Sequence, residues 1–258
     1  MENTKPYLLC ATHRTGSTPV YQLVSHYLQA TSGVVGLGEY FSRYIASYWD
    51  NGAGISVFHY PNTHEPFSPE FRYNVGGRLE LEEKISSMRA KLLRKYHSRY
   101  FIKLFPHVLP FEHREWMLSH YEWIFLERKD VFEQILSCLI CHETGIWYGA
   151  APQKALPLGS LKATREAFEN FELVLFNYFQ LKMRRNPAIV LHYEDLRELS
   201  PRAFLAKAGF TSNVSLTGLK LTSVQRPWTK SAAFSNISEI RKWYRGSLLN
   251  ELAPLAPY

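Results

Sequence analysis

A chain of 258 residues, 46% apolar and 15% aromatic, is long enough to bury one sizeable core and too apolar for a disordered or fibrous polymer. No apolar run reaches the length a membrane-spanning helix needs. Thirty basic against 23 acidic residues give a formal charge of +7, which suits a protein that handles an anionic small molecule and requires no nucleic-acid partner.

The first predicted element is a buried parallel strand over residues 6–11, carried by Tyr7-Leu8-Leu9-Cys10-Ala11. It breaks at Thr12-His13-Arg14-Thr15-Gly16-Ser17-Thr18. A helix is expected over 18–30, because Val20, Leu23, Val24, Tyr27 and Leu28 fall on one face. Pro19 suits its first turn, where a missing N–H costs nothing. A strand that turns through small residues into a helix aims free backbone N–H groups at one point, with the helix dipole behind them. Arg14 adds a fixed charge, Gly16 permits close approach, and Ser17 and Thr18 add hydroxyl donors. The loop therefore reads as a site for a phosphate-like oxyanion; the alternative is an ordinary strand-to-helix turn with a Ser or Thr cap. It is not a nucleoside-triphosphatase loop, which ends in Gly-Lys-Ser/Thr; the chain has no Gly-Lys dipeptide.

Further along, a short strand is expected near 34–37, then a long loop from Gly52 to Gly77 rich in Gly, Pro, Asn and His. A helix over 79–97 repeats Leu81, Ile85, Met88 and Leu92 at helical spacing, with Lys and Arg on the other face. Phe101-Ile102-Lys103-Leu104-Phe105 reads as a strand with one inward or edge lysine, and a helix over 110–119 follows. Trp123-Ile124-Phe125-Leu126 is another buried strand (122–127). It ends at Glu127-Arg128-Lys129-Asp130, with Asp130 as N-cap of a helix over 130–143 that carries Gln134, Ser137 and Cys138. Arg128 leaves the carboxyl end of that strand, where open α/β sheets bind ligands, so Arg128 and Ser137 are candidates for a second phosphate. The alternative for Arg128 is a surface salt bridge with Glu127 or Asp130. A helix over 162–184, a strand over 188–192 and a helix over 200–208 complete the expected elements. Strands alternating with helices make the fold α/β: one P-loop-like domain over 1–258, with a central, mostly parallel sheet and helices on both faces.

These motifs resemble those of sulfotransferases that use 3′-phosphoadenosine 5′-phosphosulfate (PAPS). In that family an R-x-G-S/T-T-type loop after the first strand binds the 5′-phosphosulfate, and an arginine after a later strand with a serine on the next helix binds the 3′-phosphate. The run from Arg128 through Asp130, Val131, Gln134 and Ser137 to Thr144 and Trp147 is similar to the bacterial trehalose sulfotransferase branch. Gly36-Leu37-Gly38-Glu39-Tyr40-Phe41 stands where that branch has its proposed glutamate base. Tyr193-Glu194-Asp195-Leu196 resembles the family's late Y-E-D-L, and Gln225-Arg226-Pro227-Trp228 stands where the family closes a loop over the nucleotide.

The resemblance implies PAPS as co-substrate, held by Arg14, Thr15, Gly16, Ser17, Thr18, Arg128, Ser137 and Arg226, and no metal. It implies Glu39 as the base for the acceptor hydroxyl, with Arg14 as oxyanion stabiliser and Lys103 as donor to the leaving oxygen. The alternative for Glu39 is a helix-start carboxylate; His13, His107 and His192 are reserve bases. Residues 44–98 match no family pattern and are the expected acceptor-specificity insertion. The acceptor is a small-molecule hydroxyl, a sugar among the candidates, and a homodimer is left open. A phosphoryl-transfer enzyme and a non-catalytic anion-binding protein are the other function classes.

The first five residues run directly into a strand without a signal peptide, so a cytoplasmic enzyme or a trimmed chain is expected. Three cysteines without a secretory signal read as reduced thiols. Cys138-x-x-Cys141 reads as two core residues rather than a metal or redox site, since zinc needs further ligands.

Overall fold

The structure, a computed structural model, describes residues 5–41, 75–106, 111–144, 156–185, 189–217, 219 and 230–252. Its centre is a five-stranded sheet in the order β2-β3-β1-β4-β5. The strands are β1 (Tyr7–Cys10), β2 (Val35–Gly38), β3 (Tyr100–Leu104), β4 (Glu122–Glu127) and β5 (Ile189–His192). Every neighbouring pair is parallel, so the sheet is wholly rather than mostly parallel. In β1, Leu8 and Leu9 point to opposite faces, and both are 0% exposed. The sheet is therefore covered on both faces, which is why β1, β3 and β4 read as unbroken apolar runs.

Around the sheet lie α1 (Ser17–Ser32), α2 (Val75–Tyr96), α3 (Phe111–His120), α4 (Val131–Thr144), α5 (Arg165–Arg185), α6 (Tyr193–Glu198), α7 (Pro201–Lys207), α8 (Ile237–Arg245) and α9 (Leu248–Leu252). Helix α1 buries Val20, Leu23, Val24, Tyr27 and Leu28, the face its periodicity indicated, and ends at Gly33 in the left-handed region. Helix α5 packs Phe168, Phe171, Leu175 and Tyr178 into the core. No described helix is long and apolar enough to cross a membrane.

Four α-helices differ from the sequence reading. Helix α2 begins at Val75, so Gly76 and Gly77 are helical rather than loop; it joins β2 to the parallel β3, a connection that needs a crossover. Its Ile85, Met88 and Leu92 are buried, so this part of the 44–98 segment is integral to the fold. Residues 44–74 lie outside the described residues. Helices α6 and α9 are too short to show periodicity, whereas α8 sets Ile237, Ile240, Trp243 and Tyr244 at helical spacing in an otherwise polar sequence and packs them on the core, an apolar stripe that the sequence reading missed.

Strand β1 is central. The chain leaves it towards β2 on one side and, after β3, crosses to β4 on the other. The carboxyl end of β1 is thus a point where the topology reverses, the place where sheets of this kind bind ligands.

Candidate functional site

The loop after β1 is wound by its own polar groups. Thr15 Oγ1 donates to the Thr12 carbonyl over 2.8 Å, and Arg14 and Gly16 both take positive φ, 61° and 70°. Gly16 is the N-cap of α1, which has no side-chain cap and no acidic residue in its first turn. Its first N–H groups and positive dipole end are left for an anion. Gly16 is also required sterically: a Cβ there would stand 2.2 Å from Cδ2 of Tyr193. Thr15 is buried with its hydroxyl turned into the loop. Of the expected donors, then, Ser17 and Thr18 have hydroxyls beside the site and Thr15 has a loop-forming one.

Lys103 reaches this helix end from the neighbouring strand. It pairs in register with Leu9 and is 5% exposed, an interior position rather than an edge one. Its Nζ lies 3.4 Å from both Ser17 Oγ and Thr18 Oγ1 and 2.5 Å from Glu39 Oε1. A buried ammonium needs such partners to offset its lost hydration. Glu39 follows Gly38, which has φ 64°, and directly precedes the helical residues Tyr40 and Phe41. It is both a helix-start carboxylate and the lysine's partner.

The second centre forms after β4. Asp130 Oδ1 accepts from the Glu133 N–H over 2.8 Å, the expected N-cap. Arg128 Nη1 donates to the Arg14 carbonyl over 3.4 Å, and its guanidinium lies 5.2 Å from the centre of the Tyr193 ring. Its ionic partner is neither Glu127 nor Asp130 but Glu194, 3.8 Å from Nε; among the described residues that Nε is buried without a hydrogen bond. Glu194 is itself anchored by the Lys129 N–H at 3.1 Å. Arg14 Nε donates to Ser137 Oγ at 3.1 Å, so the two motifs meet.

Gln134, one turn before Ser137 on α4, donates to Thr12 Oγ1 and to the His13 carbonyl, both at 2.7 Å. It ties α4 to the loop, a role its side-chain type alone does not announce. Tyr193 and Glu194 also join the site; in the sequence they stand out only as part of a late strand's end.

The reserve bases separate. His13 packs its ring 4.8 Å from that of Phe105; burial, then Lys103 and Arg14, push its pKa down to about 4, so it is neutral at physiological pH. His192, opposite Glu127 in the β4–β5 register, lies 3.8 Å from Glu127 and 3.7 Å from Asp195. Burial lowers its pKa against the pull of these carboxylates. Glu127 is in ionic contact with Lys182 at 2.7 Å, and Asp195 with Lys129 at 3.0 Å and Lys207 at 2.5 Å. This network braces the ends of β4 and β5. His107, Trp147 and Arg226 lie outside the described residues.

Cys138 and Cys141 are buried and free, and burial raises both thiols; they are core residues. Among the described residues no group of three or more His, Cys, Asp or Glu is arranged to hold a metal. No protein-family model matches the chain, and no curated protein matches it at a significant level.

Proposed function

We propose that this chain is a sulfotransferase that moves a sulfuryl group from PAPS to a hydroxyl of a carbohydrate or other small acceptor. The observation that carries the reading is the meeting of two cationic centres at the carboxyl ends of β1, β3 and β4. Lys103 with the first turn of α1 forms one, and Arg128 and Ser137 form the other, with Arg14 in the loop before α1 hydrogen-bonded to both of the latter. A nucleotide with anionic groups at both its 5′ and 3′ positions matches two such centres.

In this reading the 5′-phosphosulfate lies against the N–H groups and hydroxyls of Ser17 and Thr18, and the 3′-phosphate against Arg128 and Ser137. The acceptor oxygen attacks sulfur in line, and the bond from sulfur to the bridging phosphate oxygen breaks. The electron pair leaves on that oxygen, beside the Lys103 ammonium. Incoming anionic oxygens compete with Glu39 for Lys103 and free the carboxylate to take the hydroxyl proton. Arg14 and the loop N–H groups are fixed before the reaction and meet the transferring group's charge without reorganisation. Arg226 belongs to the nucleotide site by position in the sequence.

The test is thermal shift with adenosine 3′,5′-bisphosphate against ATP–magnesium, followed by transfer of labelled sulfate from PAPS to a panel of hydroxyl acceptors with and without chelator. Stabilisation by the bisphosphate and metal-independent transfer are expected. Stabilisation by ATP–magnesium alone would move the chain to phosphoryl transfer. Bisphosphate binding without transfer to any acceptor would make it a binding protein.

A further inference from the structure

Strand β2 lies at the sheet edge, and its pairing with β3 breaks register between Gly36 and Gly38. Such a bulge interrupts the ladder and re-aims the residue that follows. Here a side chain from α1 repairs it. Tyr21 accepts a hydrogen bond from the Gly38 N–H at 2.6 Å and donates one to the Phe101 carbonyl at 3.2 Å. Its ring stacks on Phe101, centroids 4.8 Å apart and 13° from parallel. Gly36 leaves the room, since a Cβ there would stand 2.8 Å from the Tyr21 hydroxyl and 2.1 Å from Ser25 Oγ. Burial raises the Tyr21 pKa against the opposing effect of hydrogen bonds with Gly38, Ser25 and Leu37, so the hydroxyl keeps the proton it donates.

Glu39 is the next residue after Gly38, and its carboxylate meets Lys103 two residues along β3 from Phe101. The one hydroxyl of Tyr21 thus bonds the backbone on both sides of the Glu39–Lys103 pair. We infer that Tyr21 is a positioning residue, which bridges Gly38 and Phe101 across the β2 bulge and thereby aims the Glu39 carboxylate at Lys103. The kinetic consequence rests on the proposed sulfuryl transfer; the geometric one does not. A tyrosine that only filled space between α1 and the sheet would act through its ring, which phenylalanine retains.

Tyr21→Phe separates the two roles. Amide hydrogen exchange at Gly38 is expected to be protected in the native protein and to accelerate about tenfold or more in the variant, with Glu39 displaced from Lys103 in a crystal structure of the variant. The kcat for sulfuryl transfer should fall about 10- to 100-fold, as for a misplaced catalytic group, with the KM for PAPS within about twofold of native. In a Glu39→Gln background the same change should alter kcat by less than about twofold, because both substitutions remove one function. An unprotected Gly38 amide in the native protein would overturn the inference whether or not the variant folds. So would a Tyr21→Phe structure that keeps the Glu39–Lys103 contact together with native exchange. If the native protein transfers no sulfate, the proposed function fails, and the exchange and crystallographic results still decide the role of Tyr21.

Discussion

Arg14 Nε and Ser137 Oγ are hydrogen-bonded at 3.1 Å although 123 residues separate them. The contact joins the loop after β1 to the helix after β4, the two strands that flank the point where the topology reverses. Arg14 reaches it from a left-handed backbone, φ 61°, a conformation that costs a non-glycine residue free energy and is maintained here by the surrounding bonds. Gln134 on the same helix bonds the same loop. Displacement of either motif therefore disturbs the other, and the proposed nucleotide would be read at both ends by one connected unit.

Arg128→Ala is expected to discriminate between nucleotides. The substitution removes charge-assisted donors from the proposed 3′-phosphate site. Affinity for adenosine 3′,5′-bisphosphate should fall about 10- to 100-fold, with a much smaller loss for adenosine 5′-phosphate. Titration calorimetry with both ligands decides this; equal losses would remove Arg128 from the 3′-phosphate.

Glu39→Gln keeps shape and hydrogen-bonding capacity but cannot take a proton at neutral pH. Single-turnover rates should fall about 100-fold or more, as on loss of a positioned base. Affinity for the bisphosphate should hold or rise, because Lys103 loses a competing carboxylate at 2.5 Å. A variant that turns over at the native rate would make Glu39 a structural partner of Lys103 alone.

Gly16→Ala is expected to destabilise the protein by about 1–3 kcal/mol, from left-handed strain and from overpacking against Tyr193. The steric part should shrink when Tyr193→Ala opens the space that the new Cβ needs, since that Cβ would stand 2.2 Å from Tyr193 Cδ2. Urea unfolding of the two single variants and the double variant measures the coupling. Strictly additive losses would mean that the ring moves aside at no cost.

His13 links stability to pH. Its folded-state pKa of about 4 lies below the ordinary value of about 6.5, so between them the unfolded chain binds more protons and stability rises with pH. The contribution is complete above about pH 6.5 and is lost as pH falls through about 4. Burial lowers His142 and His192 as well, and they act in the same direction. His13→Asn should therefore reduce the loss of stability between about pH 7 and pH 5. Unfolding curves at those two values with unchanged separation would show that His13 does not titrate in this window.

Several features of this protein follow from local sequence. Apolar runs such as Tyr7 to Ala11 and Trp123 to Leu126 must be buried on both sides, which dictates interior parallel strands. Gly16 and Pro19 mark the turn into α1, and Asp130 caps α4. These effects act within a few residues, so they are visible in the chain itself. Other features were decided by the tertiary structure. Lys103 is an interior residue aimed at α1 rather than an edge lysine, because β3 lies between β2 and β1. Arg128 faces Glu194 rather than its neighbours Glu127 and Asp130, because β5 lies beside β4 and delivers α6 to that end of the sheet. Glu127 is drawn inward to Lys182 on α5. Tyr21 meets Gly38 only because the β2–β3 register slips there. Strand order and register arise from packing of the whole chain, and they choose charge partners among residues whose local patterns are equally compatible with several.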